Sequence, residues 1–246
     1  MKVIFLGVGE AFDEKLPNNS LLVLSKTKIL LDCGYSVPRV LWNYNNDQSF
    51  LDAIYISHMH ADHYFGLPAL IFRMIEEGRK KPLTIISHKT NIKDIKKVID
   101  FGYRNVDRAI FNITYLGVEP GKGYDFKEFD FEFAPTEHSI TNFAVKISKK
   151  DKIVCYSGDG NYTEESKKLY KNANLVVHEA YQIAKKMNGH ATIIYLIEMC
   201  RELKINTLAL THIRRETRRD ELDIIRQQIN RCKNIFIPEP GDEHKI

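Results

Sequence analysis

No two of the four cysteines, Cys33, Cys155, Cys200 and Cys232, are close enough in sequence to form a C-x-x-C pair. The chain therefore encodes neither a zinc knuckle nor a disulfide frame, and buried thiols in a reducing compartment are expected. No apolar run approaches the length that spans a bilayer. The opening MKVIFLGVGEAFDEKLPNNS resembles a signal peptide only as far as Gly7, where the apolar run stops, so it reads as a first strand. No linker rich in Pro, Gly or Ser, no low-complexity tract and no short repeat breaks the chain, and residues 1–246 read as one domain. Charge of one sign is not in excess: 36 basic residues face 32 acidic ones, for a net +4. That surplus is too small for a dedicated nucleic-acid binder, although a local basic patch remains compatible with it. A cytoplasmic protein is the expectation.

Short apolar runs alternate with helical patterns along the chain. Strands are predicted at Val3–Val8, Leu21–Ser25, Lys28–Asp32, Leu51–Ser57, Leu83–Ser87, Ile110–Leu116, Phe129–Ala134, Phe143–Ser148, Lys152–Ser157, Asn174–Val177, Thr207–Leu210 and Asn234–Ile237. Helices are predicted at Leu67–Glu77, ending at Gly78, and at Asn91–Phe101, Thr163–Tyr170, Ala191–Leu203 and Thr217–Gln228. Glu77–Lys81 reads as a solvated basic turn. Two packed sheets with helices outside accommodate this order, an α/β architecture.

The polar residues that stand out mostly follow predicted strands, and strand ends that share one edge make a rigid floor for a site. The densest group is His58-Met59-His60-Ala61-Asp62-His63. Imidazole and carboxylate suit a borderline or hard divalent ion such as zinc, manganese or iron. Alternation in an extended segment puts His58 and His60 on one side, while Asp62 and His63 enter a helix and can point to a second ion. A lone histidine is usually structural. Four potential ligands within six residues reverse that weighting. His138, Asp159 and His212 alone would be strand-end or turn residues, but beside such a cluster they become the further ligands.

The H-x-H-x-D-H segment resembles the signature of the metallo-β-lactamase superfamily. The resemblance extends from Leu6-Gly7 and Leu31-Asp32-Cys33-Gly34 to Gly241-Asp242. It implies a four-layer αββα sandwich of two mixed sheets flanked by helices, and two divalent ions, zinc first, with Mn2+ or Fe2+ as alternatives. His58, His60 and His138 would hold one ion; Asp62, His63 and His212 the other; and Asp159 would bridge them. Val177-His178-Glu179-Ala180 and Gly189-His190-Ala191-Thr192 further resemble paired elements of the RNase Z branch, which processes tRNA 3′ ends, and of related phosphodiesterases. In that branch the residue matching His190 contacts the scissile phosphate and the one matching Glu179 orients it. The expected mechanism for this chain has Asp62 orient a hydroxide held between the ions.

Tyr181 and Ala191 depart from the threonine and serine of those elements. Only Ser139–Gly158 separates His138 from Asp159, where the familiar bacterial enzymes carry an arm that grips tRNA. The expected function is thus a phosphodiesterase acting on a small nucleotide or an RNA end, with no membrane partner and a homodimer allowed. The alternatives are RNase Z-type tRNA 3′ cleavage, hydrolysis of a lactone, thioester or β-lactam on the same ions, and a metal-bound redox or binding module. The run Arg214-Arg215-Glu216-Thr217-Arg218-Arg219 could neutralise phosphates or form a solvated helix start.

Overall fold

The computed structural model describes residues 1–103 and 109–246. In chain order the elements are β1 (Lys2–Gly7), β2 (Ser20–Leu24), β3 (Lys28–Leu31), α1 (Val37–Tyr44), β4 (Ala53–Ile56), α2 (Ala61–Tyr64), α3 (Leu67–Glu76), β5 (Leu83–His88), α4 (Ile92–Gly102), β6 (Ile113–Val118) and β7 (Gly123–Phe126). They continue as β8 (Phe129–Pro135), β9 (Phe143–Lys149), β10 (Lys152–Tyr156), α5 (Glu164–Tyr170), β11 (Leu175–Glu179), α6 (Ile193–Glu202), β12 (Leu208–Thr211), α7 (Arg215–Ile229), β13 (Ile235–Phe236) and β14 (Glu243–Lys245). One sheet runs β14-β1-β2-β3-β4-β5-β6 and the other β13-β12-β11-β10-β9-β8-β7. Both are mixed: β3 to β6 and β10 to β13 pair in parallel, and the remaining neighbours pair antiparallel.

The period of two in each strand assigns its side chains to layers. Val3 and Phe5 of β1, Ala53 and Tyr55 of β4, Val154 and Tyr156 of β10, and Leu175 and Val177 of β11 meet between the sheets. Their neighbours Ile4, Leu6, Ile54 and Ile56 point outward to α1, α3 and α4. Cys155 and Val176 point outward to α5, α6 and α7 on the opposite side. Strands buried on both faces carry near-continuous apolar runs, which explains why they stand out in the sequence. The result is the αββα sandwich.

The elements α1, α2, β7 and β14 have no counterpart in the apolar pattern, being short and fixed by tertiary contact. The strand expected from Ile110 begins at Ile113. Glu77–Lys81 is solvated at Glu77, Gly78 and Lys80, as its charges suggested, but not at Arg79. Arg79 there is fully buried. Its Nε donates to Lys81 O at 2.7 Å, its Nη1 to Gln48 O at 2.6 Å, and its Nη2 to Leu51 O at 2.7 Å and Pro82 O at 2.9 Å. A planar guanidinium thus satisfies four carbonyls that the turn would otherwise bury unpaired. Arg79→Met should lower stability by ~2–4 kcal/mol, seen as a lower urea midpoint at unchanged slope. Arg79→Lys should recover little of this, because one ammonium cannot reach four carbonyls. An unmoved midpoint in Arg79→Met would show the clamp to be dispensable.

Candidate metal centre and its cleft

The residues singled out from the sequence gather at one edge of the sandwich. His58 follows β4, Asp159 follows β10, Glu179 closes β11 and His212 follows β12. His138 lies beyond Pro135, the last residue of β8, and is steadied by the bridge between Glu137 and Asn161. The helix α2 carries Asp62 and His63, both buried, in its single turn. Backbone packing brings these ends together. A Cβ on Gly34 would lie 1.9 Å from Asp62 O, and one on Gly158 would lie 2.7 Å from Ser57 Cβ, so both positions need glycine.

Two donor groups result. His58, His60, His138 and Asp159 each offer a ligand atom within 4.8 Å of the others, and so do Asp62, His63, Asp159 and His212. His60 Nδ1 lies 3.0 Å from His58 Nε2 and 3.1 Å from His138 Nε2. Asp159 belongs to both groups: its Oδ2 is 3.8 Å from His58 Nε2, 3.9 Å from His138 Nε2 and 3.5 Å from His212 Nε2. Asp62 Oδ2 stands 3.1 Å from His63 Nε2 and 3.3 Å from His212 Nε2.

A second set of contacts orients these donors. His138 Nδ1 donates to Gly189 O at 2.8 Å, which turns the lone pair of Nε2 toward the cluster. His63 Nδ1 lies 2.7 Å from Asp32 Oδ2. The same carboxylate accepts from Ser57 N, Ser57 Oγ and Tyr156 OH, each at 2.7 Å, and Ser57 Oγ in turn meets His58 Nδ1 at 3.0 Å. Burial and the Asp32 charge hold the Tyr156 phenol well above its ordinary range, so it stays a donor.

The electrostatics fit divalent cations. Burial favours neutral imidazole and pulls His58 well below its usual value, helped by charge on His63. Burial acts the same way on His212, yet Asp159 and Asp62 outweigh it and push that histidine up to about 9. The carboxylates of Asp159, Asp62 and Asp32 likewise raise His63 well above its ordinary value against burial. Protons on His63 and His212 are the charge that two buried carboxylates demand, and a divalent ion would supply it in their place. His63 Nε2 and Asp159 Oδ1 are buried without a hydrogen-bond partner, 3.4 Å apart, as metal-facing atoms would be.

Above the cluster opens a cleft of about 320 Å³, whose lining includes Glu10, Phe12, Tyr35, His60, Asp62, His138, Asp159, Tyr181, His190 and His212. Fully buried Glu179 takes His190 Nδ1 at 3.0 Å and Gly160 N at 2.6 Å. Burial works against charge on His190, but that hydrogen bond and the Glu179 charge raise it above the ordinary histidine value. The helix expected from Ala191 begins at Ile193. Thr192 is the N-cap of α6, and His190 stands in the irregular segment before it. The departure at Tyr181 acquires a role here, since its ring stacks on His190 with centroids 4.2 Å and planes 18° apart. The basic run starts α7, and each arginine meets a carboxylate: Arg214 with Glu216, Arg215 with Glu10, Arg218 with Glu239, Arg219 with Asp220.

The family description "Anti-Pycsar protein Apyc1" matches residues 1–235. The chain belongs to the Apyc1 family. Among curated relatives, Ribonuclease Z of Listeria welshimeri is 25% identical over 297 aligned positions, covering 96% of this chain and 95% of the relative. Of solved structures, the metallo-beta-lactamase fold protein YhfI from Bacillus subtilis superposes with TM-score 0.84 at 23% identity, covering 99% of this chain and 98% of that one. Human tRNase Z, short form, gives TM-score 0.82 at 21% identity, covering 100% and 99%. This Apyc1-family chain thus has the metallo-β-lactamase fold, is RNase Z-like, and is a metal-dependent hydrolase.

Asp32 follows β3 and was legible only as part of a resembling segment; Ser57, Tyr156 and Glu10 carried no signal. The Asp32 contacts yield a prediction for this Apyc1-family site. Asp32→Asn should weaken divalent-metal affinity by about 10–100-fold, measured by competition with a chromogenic chelator. Wild-type affinity in that variant would mean that Asp32 only braces the fold.

Proposed function

We propose that the chain hydrolyses a phosphodiester of small-nucleotide type. The two donor groups would hold two divalent ions, zinc first, with Asp159 shared between them. The observation that carries the reading is the His190–Glu179 pair, whose imidazole lines the same cleft as residues of both groups. A buried carboxylate behind an imidazole suits proton donation to a departing alkoxide, which hydrolysis of a thioester, with its good thiolate leaving group, needs less. The name Ribonuclease Z, borne by the Listeria welshimeri relative, supports phosphodiester chemistry. That name also favours a second reading, tRNA 3′-end cleavage. Against it, β9 and β10 form a plain hairpin between His138 and Asp159, with no room for an arm. The alignment of 297 positions, for a chain of 246 residues, likewise gives the relative segments that this chain lacks.

Bound in these groups, divalent ions would polarise the phosphoryl oxygens and acidify water. The remaining work falls to the chain's own residues. Asp62, almost wholly buried and held by His212, orients the attacking water. His190 gives its Nε2 proton to the leaving oxygen as the P–O bond breaks, while Glu179 keeps Nδ1 and steadies the positive ring. Tyr181 stacks on that ring and fixes its plane.

His190→Ala should retain its metals and lose turnover of a 2′,3′-cyclic nucleotide, whose leaving group is an alkoxide, by about 10²–10⁴-fold, with a much smaller loss on bis-p-nitrophenyl phosphate, whose phenolate departs without a proton. Because Glu179 raises His190, the acid form is fully present at low pH and is lost as pH rises through the raised value. Glu179→Gln should therefore move the alkaline limb of the kcat profile to lower pH. A profile unmoved in Glu179→Gln, or metal loss in His190→Ala, would reject these roles.

A further inference from the structure

Two aromatic rings at the mouth of the cleft have no task in the chemistry above. Phe12 is 74% exposed and Tyr35 is 51% exposed, and both line the cleft beside Asp62 and His138. Neither is a loose surface side chain. Glu10, only 2% exposed, accepts Phe12 N at 3.0 Å and is paired with Arg215, whose guanidinium carbon lies 5.9 Å from the Phe12 ring centroid. Tyr35 OH donates to Ala11 O, which ties the second ring to the same loop. Gly9 lets that loop run close to its return segment, since a Cβ there would meet Leu16 O at 2.6 Å. An ion pair anchored on buried Glu10 and a tyrosine hydroxyl thus hold Phe12 in water instead of letting it fold into the core. Such a ring is available to a partner surface that is flat and apolar on its face.

We propose that Phe12 and Tyr35 form a nucleobase-stacking subsite, which selects diesters bearing a base over those bearing none. The inference rests on the phosphodiester reading: with the phosphate at the His/Asp groups, a base on the same nucleotide must lie along this cleft. Base-to-aromatic stacking is strong and tolerant of base identity, so the subsite would recognise a nucleoside without demanding one particular base. Glu10 positions the ring through the Phe12 backbone and does not itself touch the base.

The test compares two substrates that share a leaving group, thymidine 5′-(p-nitrophenyl phosphate) and methyl p-nitrophenyl phosphate. In the wild-type enzyme the ratio of their kcat/KM values should favour the thymidine ester. Phe12→Ala and Tyr35→Ala should each lower that ratio about tenfold, mainly through KM for the thymidine ester, and Phe12→Trp should restore it. An unchanged ratio, including equal losses on both esters, would overturn the proposal. If the wild type turns over neither ester, the phosphodiester reading fails by itself. Saturation-transfer NMR with thymidine 5′-monophosphate then decides the subsite: transfer to the base protons that is lost in Phe12→Ala supports it, and its absence in the wild type rejects it.

Discussion

Four donors close on the carboxylate of Asp32, and the arrangement of the site depends on them. Ser57 N and Oγ come from the end of β4, His63 from α2, and Tyr156 from β10 of the opposite sheet. One side chain therefore fixes the segment carrying His58, the helix carrying Asp62 and His63, and the strand leading to Asp159. Asp32 sits in the left-handed backbone region, φ 57°, as does His212 at φ 52°. For non-glycine residues that conformation costs about 1–2 kcal/mol each. It persists because the surrounding hydrogen bonds over-determine it.

The second constraint is charge. Asp32, Asp62 and Asp159 are all buried, and Asp62 and Asp159 belong to donor groups that also hold five imidazoles. Isolated carboxylates in such a place would protonate, yet Asp159 and Asp62 are both held below the usual carboxylate range: burial raises them, and the neighbouring histidines overcome that rise. The cluster therefore balances only with positive charge among the carboxylates. Divalent ions supply it more compactly than protons on His63 and His212. The same field reaches Glu179 and His190 at the cleft wall, where a charged imidazole is stabilised beside the space that a phosphate would occupy.

The fold was legible because strands buried on both faces read as apolar runs and because H-x-H-x-D-H is dense enough to stand above chance. The residues of the two donor groups stood out for the same reason, together with their positions after strands, and the fold brings them together. What supports them was not legible. Asp32 meets Tyr156 across 124 residues of sequence, and no local pattern announces that. Arg79 looked like a surface charge because its carbonyl partners lie in other loops. Glu10 and Phe12 sit in a polar loop whose pairing with Arg215 only the fold creates. The Tyr181 departure was visible in the sequence, but its meaning required the stacked ring of His190.

The short hairpin β9–β10 and the aromatic mouth support the proposed reading of a small diester as substrate. The central claim is that this cleft cleaves small nucleotide phosphodiesters with bound metals. The most direct test is turnover by the metal-loaded enzyme of a 2′,3′-cyclic nucleotide and bis-p-nitrophenyl phosphate, run beside a 3′-extended pre-tRNA. Cleavage of the small diesters, abolished by chelation and restored by divalent metal, with the pre-tRNA left intact, is the result the account predicts. Accurate cutting of the pre-tRNA, or no phosphodiester turnover with metals bound, would contradict it.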